Sequence, residues 1–198
     1  MHIPVPDGNL SKGWNPFMTN ATKSISPIRA LTYSAISLAL CLVLPFLTGQ
    51  IPQIGSALCP MHLPVLLAGF LCGPWWAAAV GAVAPLLRSV LTGGYPPLFP
   101  TAVAMTFELC TYGLVSGLLW RKSSKRTGSI YLTLVAAMVA GRIVWGVVTA
   151  ILLGMGDTPF TWAAFWAGGF SGAVPGIVLQ LVLIPLLVVA LRRAKLAP

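Results

Sequence analysis

From Ser129 to Leu153 the chain carries a single charged residue, Arg142, and that run is one of several. An apolar stretch of roughly twenty residues is long enough to cross a bilayer as a helix. In lipid every backbone N–H and C=O must be satisfied within the protein, which leaves helices or closed barrels as spanning structures. Further apolar runs cover Ile28 to Leu47, His62 to Gly73-Pro74, Trp75 to Leu91, Pro100 to Trp120 and Ala163 to Leu191. The last is broken by Pro175-Gly176 and by Pro185. These patterns predict an all-α integral membrane protein with six transmembrane helices. Only 8% of the residues are charged, against roughly 25% in a soluble domain. A polar, proline-containing segment, 1–27, precedes one membrane domain over 28–195; it has no apolar core of the secretory-signal kind.

The net charge of +9 would suggest nucleic acid in a soluble protein, but the basic residues cluster between the spans. Lys12, Lys23 and Arg29 lie before or at the start of the first span. Arg121, Lys122, Lys125 and Arg126 separate the fourth from the fifth. Arg192, Arg193 and Lys195 follow the sixth. If the spans alternate, all of these fall on one side, and the opposite loops hold no Lys or Arg. The positive-inside rule then places both termini in the cytoplasm. Partners expected on this basis are the lipid bilayer and a small molecule, with no nucleic acid.

The second run is only about twelve residues, or ~18 Å. It must therefore tilt in a thinned bilayer or be sheltered by protein. Pro85 predicts a kink in the third span, and Pro100 suits the first turn of the fourth. A turn is expected at Gly93-Gly94-Tyr95-Pro96-Pro97.

The clusters leave Arg88 and Arg142 inside the spans, and of the acids only Glu108. A charge at the centre of a membrane helix costs about 2.5–3.5 kcal/mol, so each needs a reason. Arg88 falls about one turn from the outer end of its span, Glu108 ~12 Å deep and Arg142 ~16 Å deep. His62 opens the second span. All four thus belong to the outer half. Glu108 and Tyr112 share a face at i,i+4, and Arg142, Trp145 and Thr149 share another. Tyr95, Trp162 and Trp166 flank the outer ends. Two arginines against one glutamate, together with three helix N-termini on that side, favour an anionic ligand. The aromatic residues favour one with an apolar body. Candidate substrate-binding residues are therefore His62, Arg88, Tyr95, Glu108, Tyr112, Arg142, Trp145 and Trp166. Plainer readings stand beside this one: a structural Arg142–Glu108 ion pair, an Arg88 that snorkels to headgroups, an interfacial His62, and tryptophans that form an interface belt.

Cys41, Cys59, Cys72 and Cys110 show no CxxC spacing, so neither a metal site nor a cofactor is expected. Intramembrane proteolysis would need Ser–His, paired aspartates or a metal cluster, and no such constellation occurs in the spans. The chain is read as a non-enzyme. Ala35-Ile-Ser-Leu-Ala39 forms a small-xxx-small face, suited to internal packing or to partner docking.

Four stretches resemble a known family: Pro60-Met-His-Leu-Pro-Val-Leu-Leu-Ala-Gly-Phe-Leu-Cys-Gly-Pro74, Ala84-Pro-Leu-Leu-Arg-Ser89 with Pro96-Pro-Leu-Phe-Pro-Thr101, Phe107-Glu-Leu-Cys-Thr-Tyr-Gly113, and Gly141-Arg-Ile-Val-Trp-Gly146. Over about 25–195 the chain is similar to the substrate-binding S component of energy-coupling factor (ECF) vitamin transporters. The resemblance implies an outward-facing vitamin site, a lid from Gly49 to Cys59, and docking of Ala35 and Ala39 on a transmembrane coupling subunit. It also implies two separate ATPase subunits, residence in the bacterial cytoplasmic membrane, and release of substrate by toppling of the S component. Pantothenate, a small carboxylate, fits the arginine surplus; riboflavin or another vitamin is the alternative. Ser171-Gly172 departs from the asparagine expected near there. A stand-alone carrier or a membrane scaffold is the alternative class.

Overall fold

A computed structural model of the chain describes residues 26–47, 57–154, 161–169 and 171–196. The polar segment 1–25, most of the expected lid and the loop holding Asp157 lie outside the described residues. Among the described residues the regular structure is entirely helical. Helix α1 spans Pro27–Leu47, and Ser26 Oγ accepts the Arg29 N–H at its start. Two hydroxyls within α1 are satisfied on its own backbone: Thr32 Oγ1 donates to Ile28 O at 2.9 Å and Ser34 Oγ to Ala30 O at 2.7 Å.

Helix α2, His62–Cys72, is the short span. Its eleven residues reach ~17 Å, too short for a ~30 Å core. The structure takes the sheltered solution. Nine of the eleven are buried, under α1, α3, α4 and α7. Gly73 ends α2 at φ +88°, a conformation open to glycine, and Pro74 starts α3 in its first turn. The chain thus reverses direction without a loop.

Helix α3, Pro74–Leu91, contains Pro85 and closes through Thr92, Gly93 and Gly94. Helix α4 does not begin at Pro100. A wide π-type turn, Leu98–Ala102, comes first, and α4 runs Val103–Lys122. Phe99 is extended at φ −121°, ψ 136°. A residue before proline prefers that region, so Pro100 delays the helix instead of starting it. Helix α5 spans Thr127–Gly154. The last apolar run divides into α6, Trp162–Gly169, a 3-10 turn at Ser171–Ala173, and α7, Val174–Arg193. The break lies just before Pro175, which occupies the first turn of α7, whereas Pro185 is carried inside it. Among the described residues five stretches are long and apolar enough to cross a membrane: α1, α3, α4 with its entry turn, α5, and α6 with α7. With α2 they make six apolar segments, and the protein is a multi-pass membrane protein.

Alternation of direction shows in contacts at the ends. Arg192 Nη1 donates to Lys125 O at 2.6 Å, and Tyr33 Oη donates to Leu196 O at 2.9 Å. All three basic clusters therefore have described members at one end of the bundle. Helices α3 and α4 touch backbone to backbone. A Cβ on Gly81 would lie 2.3 Å from Leu109 O, and one on Gly113 2.4 Å from the Ala77 carbonyl carbon. In antiparallel register Gly81 meets Leu109, Ala77 meets Gly113 and Pro74 meets Gly117, and the small residues at these crossings permit the close approach. Toward the basic end the core is apolar: Phe70, Trp120, Ile130, Leu134, Ile184 and Val188 pack there, all buried.

Candidate functional site

The opposite half of the bundle holds the buried charges. Glu108 projects from the middle of α4 and is 1% exposed. Three helices converge on its Oε1. Tyr112, one turn along α4, donates its hydroxyl at 2.8 Å. Arg142 of α5 reaches it at 3.1 Å through Nη1. His62, at the first turn of α2, places Nε2 3.4 Å away. That histidine contact has ion-pair distance but not hydrogen-bond alignment, and neither ring nitrogen has a hydrogen-bond partner. The His62 and Tyr112 rings lie 5.2 Å apart. Tyr112 can sit between α4 and α5 because residue 141 is glycine; a Cβ there would be 2.1 Å from Tyr112 Cε1.

The segment before α2 completes this group. Cys59 adopts φ +46°, and the His62 N–H donates to Cys59 O at 3.0 Å, closing a tight turn. Arg142 Nη2 then donates to Cys59 Sγ at 3.7 Å. The same turn carries Met61, whose Sδ accepts from Arg88 Nη1 at 3.3 Å. Arg88 is 7% exposed and does not snorkel. Its guanidinium lies 5.5 Å from the Tyr95 ring centroid, and its Nε has no hydrogen-bond partner. Thr92 Oγ1 donates to Arg88 O at 2.8 Å and also to Tyr95 O, which ties Tyr95 to the end of α3.

The electrostatics of the two arginines differ. Arg142 has a carboxylate at contact distance. No carboxylate lies within 4.0 Å of Arg88 among the described residues. Neutral contacts to a thioether and a ring replace water around a full positive charge. Thr149 Oγ1, buried on α5 toward the same end, also lacks a hydrogen-bond partner.

The structure thus brings His62, Glu108, Tyr112 and Arg142 into one cluster. Arg88 and Tyr95 form a second, joined to the first through consecutive residues Met61 and His62. Trp145 and Trp166 belong instead to an aromatic group. Trp145 stacks on Phe165 at 6.3 Å, Trp162 stacks on Phe165 at 5.3 Å, and Trp166 meets Phe165 edge-on at 6.2 Å. Phe165 packs over Gly146, so this group covers the outer part of α5. Ala35 and Ala39 are exposed on α1. Cys59, Met61 and Phe165 carry contacts that the sequence reading missed. Position beside His62 was the available signal for the first two, and i,i+3 spacing from Trp162 for the third.

Comparison with curated proteins and with solved structures finds no match. The family described as "ECF transporter, substrate-specific component" matches over residues 29–188, which takes in α1 through most of α7. The chain belongs to the ECF transporter substrate-specific component family and is a membrane-embedded substrate-binding subunit.

Proposed function

We propose that the chain captures a small water-soluble vitamin with a carboxylate, pantothenate being the best fit, for uptake by an ECF module. The observation that carries this reading is Arg88: a buried guanidinium with an unpaired Nε and no carboxylate within 4.0 Å among the described residues. A ligand carboxylate would supply the missing charge and hydrogen bonds. His62 Nδ1 and Thr149 Oγ1 lack hydrogen-bond partners and could take a hydroxyl or amide of the same ligand. Glu108, Tyr112 and Arg142 build the wall behind them, and Tyr95, Trp145 and Trp166 supply apolar surface. Both termini and the basic loop lie in the cytoplasm of a bacterial cell, and the site opens outward. The binding domain covers 28–195. Ala35 and Ala39 dock on a transmembrane coupling subunit, and two partner ATPase subunits supply the energy, so this chain has no catalytic role.

The test is the melting temperature of the purified chain against a vitamin panel that includes pantothenol, which has the same body without the carboxylate. Ligand binding stabilises the folded state by RT ln(1 + [L]/Kd), about 2.7 kcal/mol at a hundredfold excess over Kd. Pantothenate should raise the melting temperature and pantothenol should not. A shift with riboflavin instead would favour stacking on the Phe165 group and overturn the carboxylate argument.

A further inference from the structure

Buried polar atoms without hydrogen-bond partners also occur at the other end of the bundle, far from the vitamin site. Ser123 Oγ is one. It lines a cavity of about 320 Å³ together with Leu119, Lys122, Ser124, Ser129, Leu132 and Thr133. This volume falls in the range of small-ligand pockets. The cavity is formed where α4 ends and α5 begins, and its chemistry is divided. Most of its surface is apolar, and Lys122 with the side chains of Ser123, Ser124, Ser129 and Thr133 contributes a small polar part. Leu119 and Leu132, 39% and 74% exposed, form an apolar rim on the lipid-facing surface. Ser124 Oγ and Ser129 Oγ, both in the lining, lie 3.3 Å apart and share a hydrogen bond in which either can donate. Helix α5 has no acidic residue in its first turn, so its positive dipole end adds to Lys122.

Lys125 is turned away from the cavity. Its Nζ sits 4.3 Å from the Trp120 ring centroid, and its backbone carbonyl accepts from Arg192. Burial, with the nearby Arg192 second, lowers its pKa from the usual lysine value. Lys122 is therefore the cation that the cavity holds.

We propose that this cavity binds the phosphoryl headgroup of an anionic phospholipid, with acyl chains running along Leu119 and Leu132. The placement rests on the reading that the basic end faces the inner, anionic leaflet. A phosphate diester brings acceptors for the Lys122 ammonium and for the lining hydroxyls left to donate once Ser124 and Ser129 share one hydrogen bond, and the adjacent leucines favour an amphiphile.

The experiment uses the full chain in neutral detergent, with melting temperature read during titration of short-chain phosphatidylglycerol, phosphatidylcholine of equal chain length, or inorganic phosphate. Phosphatidylglycerol should stabilise saturably, and the other two should not. Lys122→Gln, or Ser123→Ala with Ser129→Ala, should weaken the effect about tenfold, the loss of one charge-assisted contact. Arg121→Gln removes the same charge from outside the cavity and should leave it unchanged. Each variant is first required to melt at the wild-type temperature without lipid; if Lys122→Gln does not, the serine pair decides. Equal stabilisation by phosphatidylcholine, or equal loss in Arg121→Gln, would overturn the site in favour of general lipid or charge effects. Full reproduction by inorganic phosphate would overturn the lipid as its ligand. The vitamin titration reads none of these outcomes, so the two proposals fail separately.

Discussion

At the scale of residues, the two buried arginines have separable roles. Arg142 neutralises Glu108 across α4 and α5, so removing either partner leaves a charge stranded. Breaking a buried pair in this way costs about 3–5 kcal/mol. Arg142→Ala should therefore lower both the melting temperature and the affinity for ligand, while Glu108→Gln should lower melting temperature more than affinity. Among the described residues Arg88 has no carboxylate to abandon. Arg88→Gln should leave the melting temperature of the ligand-free protein nearly unchanged and weaken pantothenate binding by about 10- to 100-fold, the worth of hydrogen bonds to a charged group. Calorimetric titration alongside thermal melts checks all three. A large loss of stability in Arg88→Gln would return that residue to a purely structural role.

At the scale of elements, the tightest joint is between α3 and α4. Gly113→Val would drive a side chain into the Ala77 backbone, which cannot move as a side-chain tip can. Overpacking costs roughly 1–3 kcal/mol, or several degrees of melting temperature. Gly128→Ala, where a Cβ meets nothing within 4 Å, is the control and should leave melting unchanged. This joint was legible in principle, since Ala77-xxx-Gly81 and Gly113-xxx-Gly117 stand in the sequence. What singles them out from the equally regular Ala35-xxx-Ala39 is which helices become neighbours, and a single sequence does not state that. Helix ends fared similarly. Gly73-Pro74 marks its boundary by local chemistry and was readable. The late start of α4 depends on how Phe99 responds to Pro100, and the break before α7 lies just upstream of the prolines that advertise it. The cluster at Glu108 was legible because isolated charges in apolar helices are few. Its sulfur neighbours were not, because Cys59 and Met61 look like ordinary apolar filling until the turn before α2 is folded.

At the scale of the whole molecule, orientation and assembly can be tested together. Ser124→Cys should react with a membrane-impermeant thiol reagent only in inside-out vesicles, and Gly94→Cys only in intact cells, with the parent chain as blank. The reverse pattern would invert the proposed topology. Ala35 and Ala39 lie exposed on α1, away from the charge cluster. Ala35→Trp with Ala39→Trp should spare pantothenate affinity and abolish co-purification with the coupling subunit; unimpaired co-purification would remove α1 from the docking surface. The apolar packing of Phe70, Trp120, Ile130, Leu134, Ile184 and Val188 has an electrical consequence. It insulates: a solute or ion held near Glu108 meets packed, largely apolar side chains on its way to the basic end, with no buried charge among the described residues to carry it across. Vesicles containing this chain alone should hold a proton gradient as long as empty ones do.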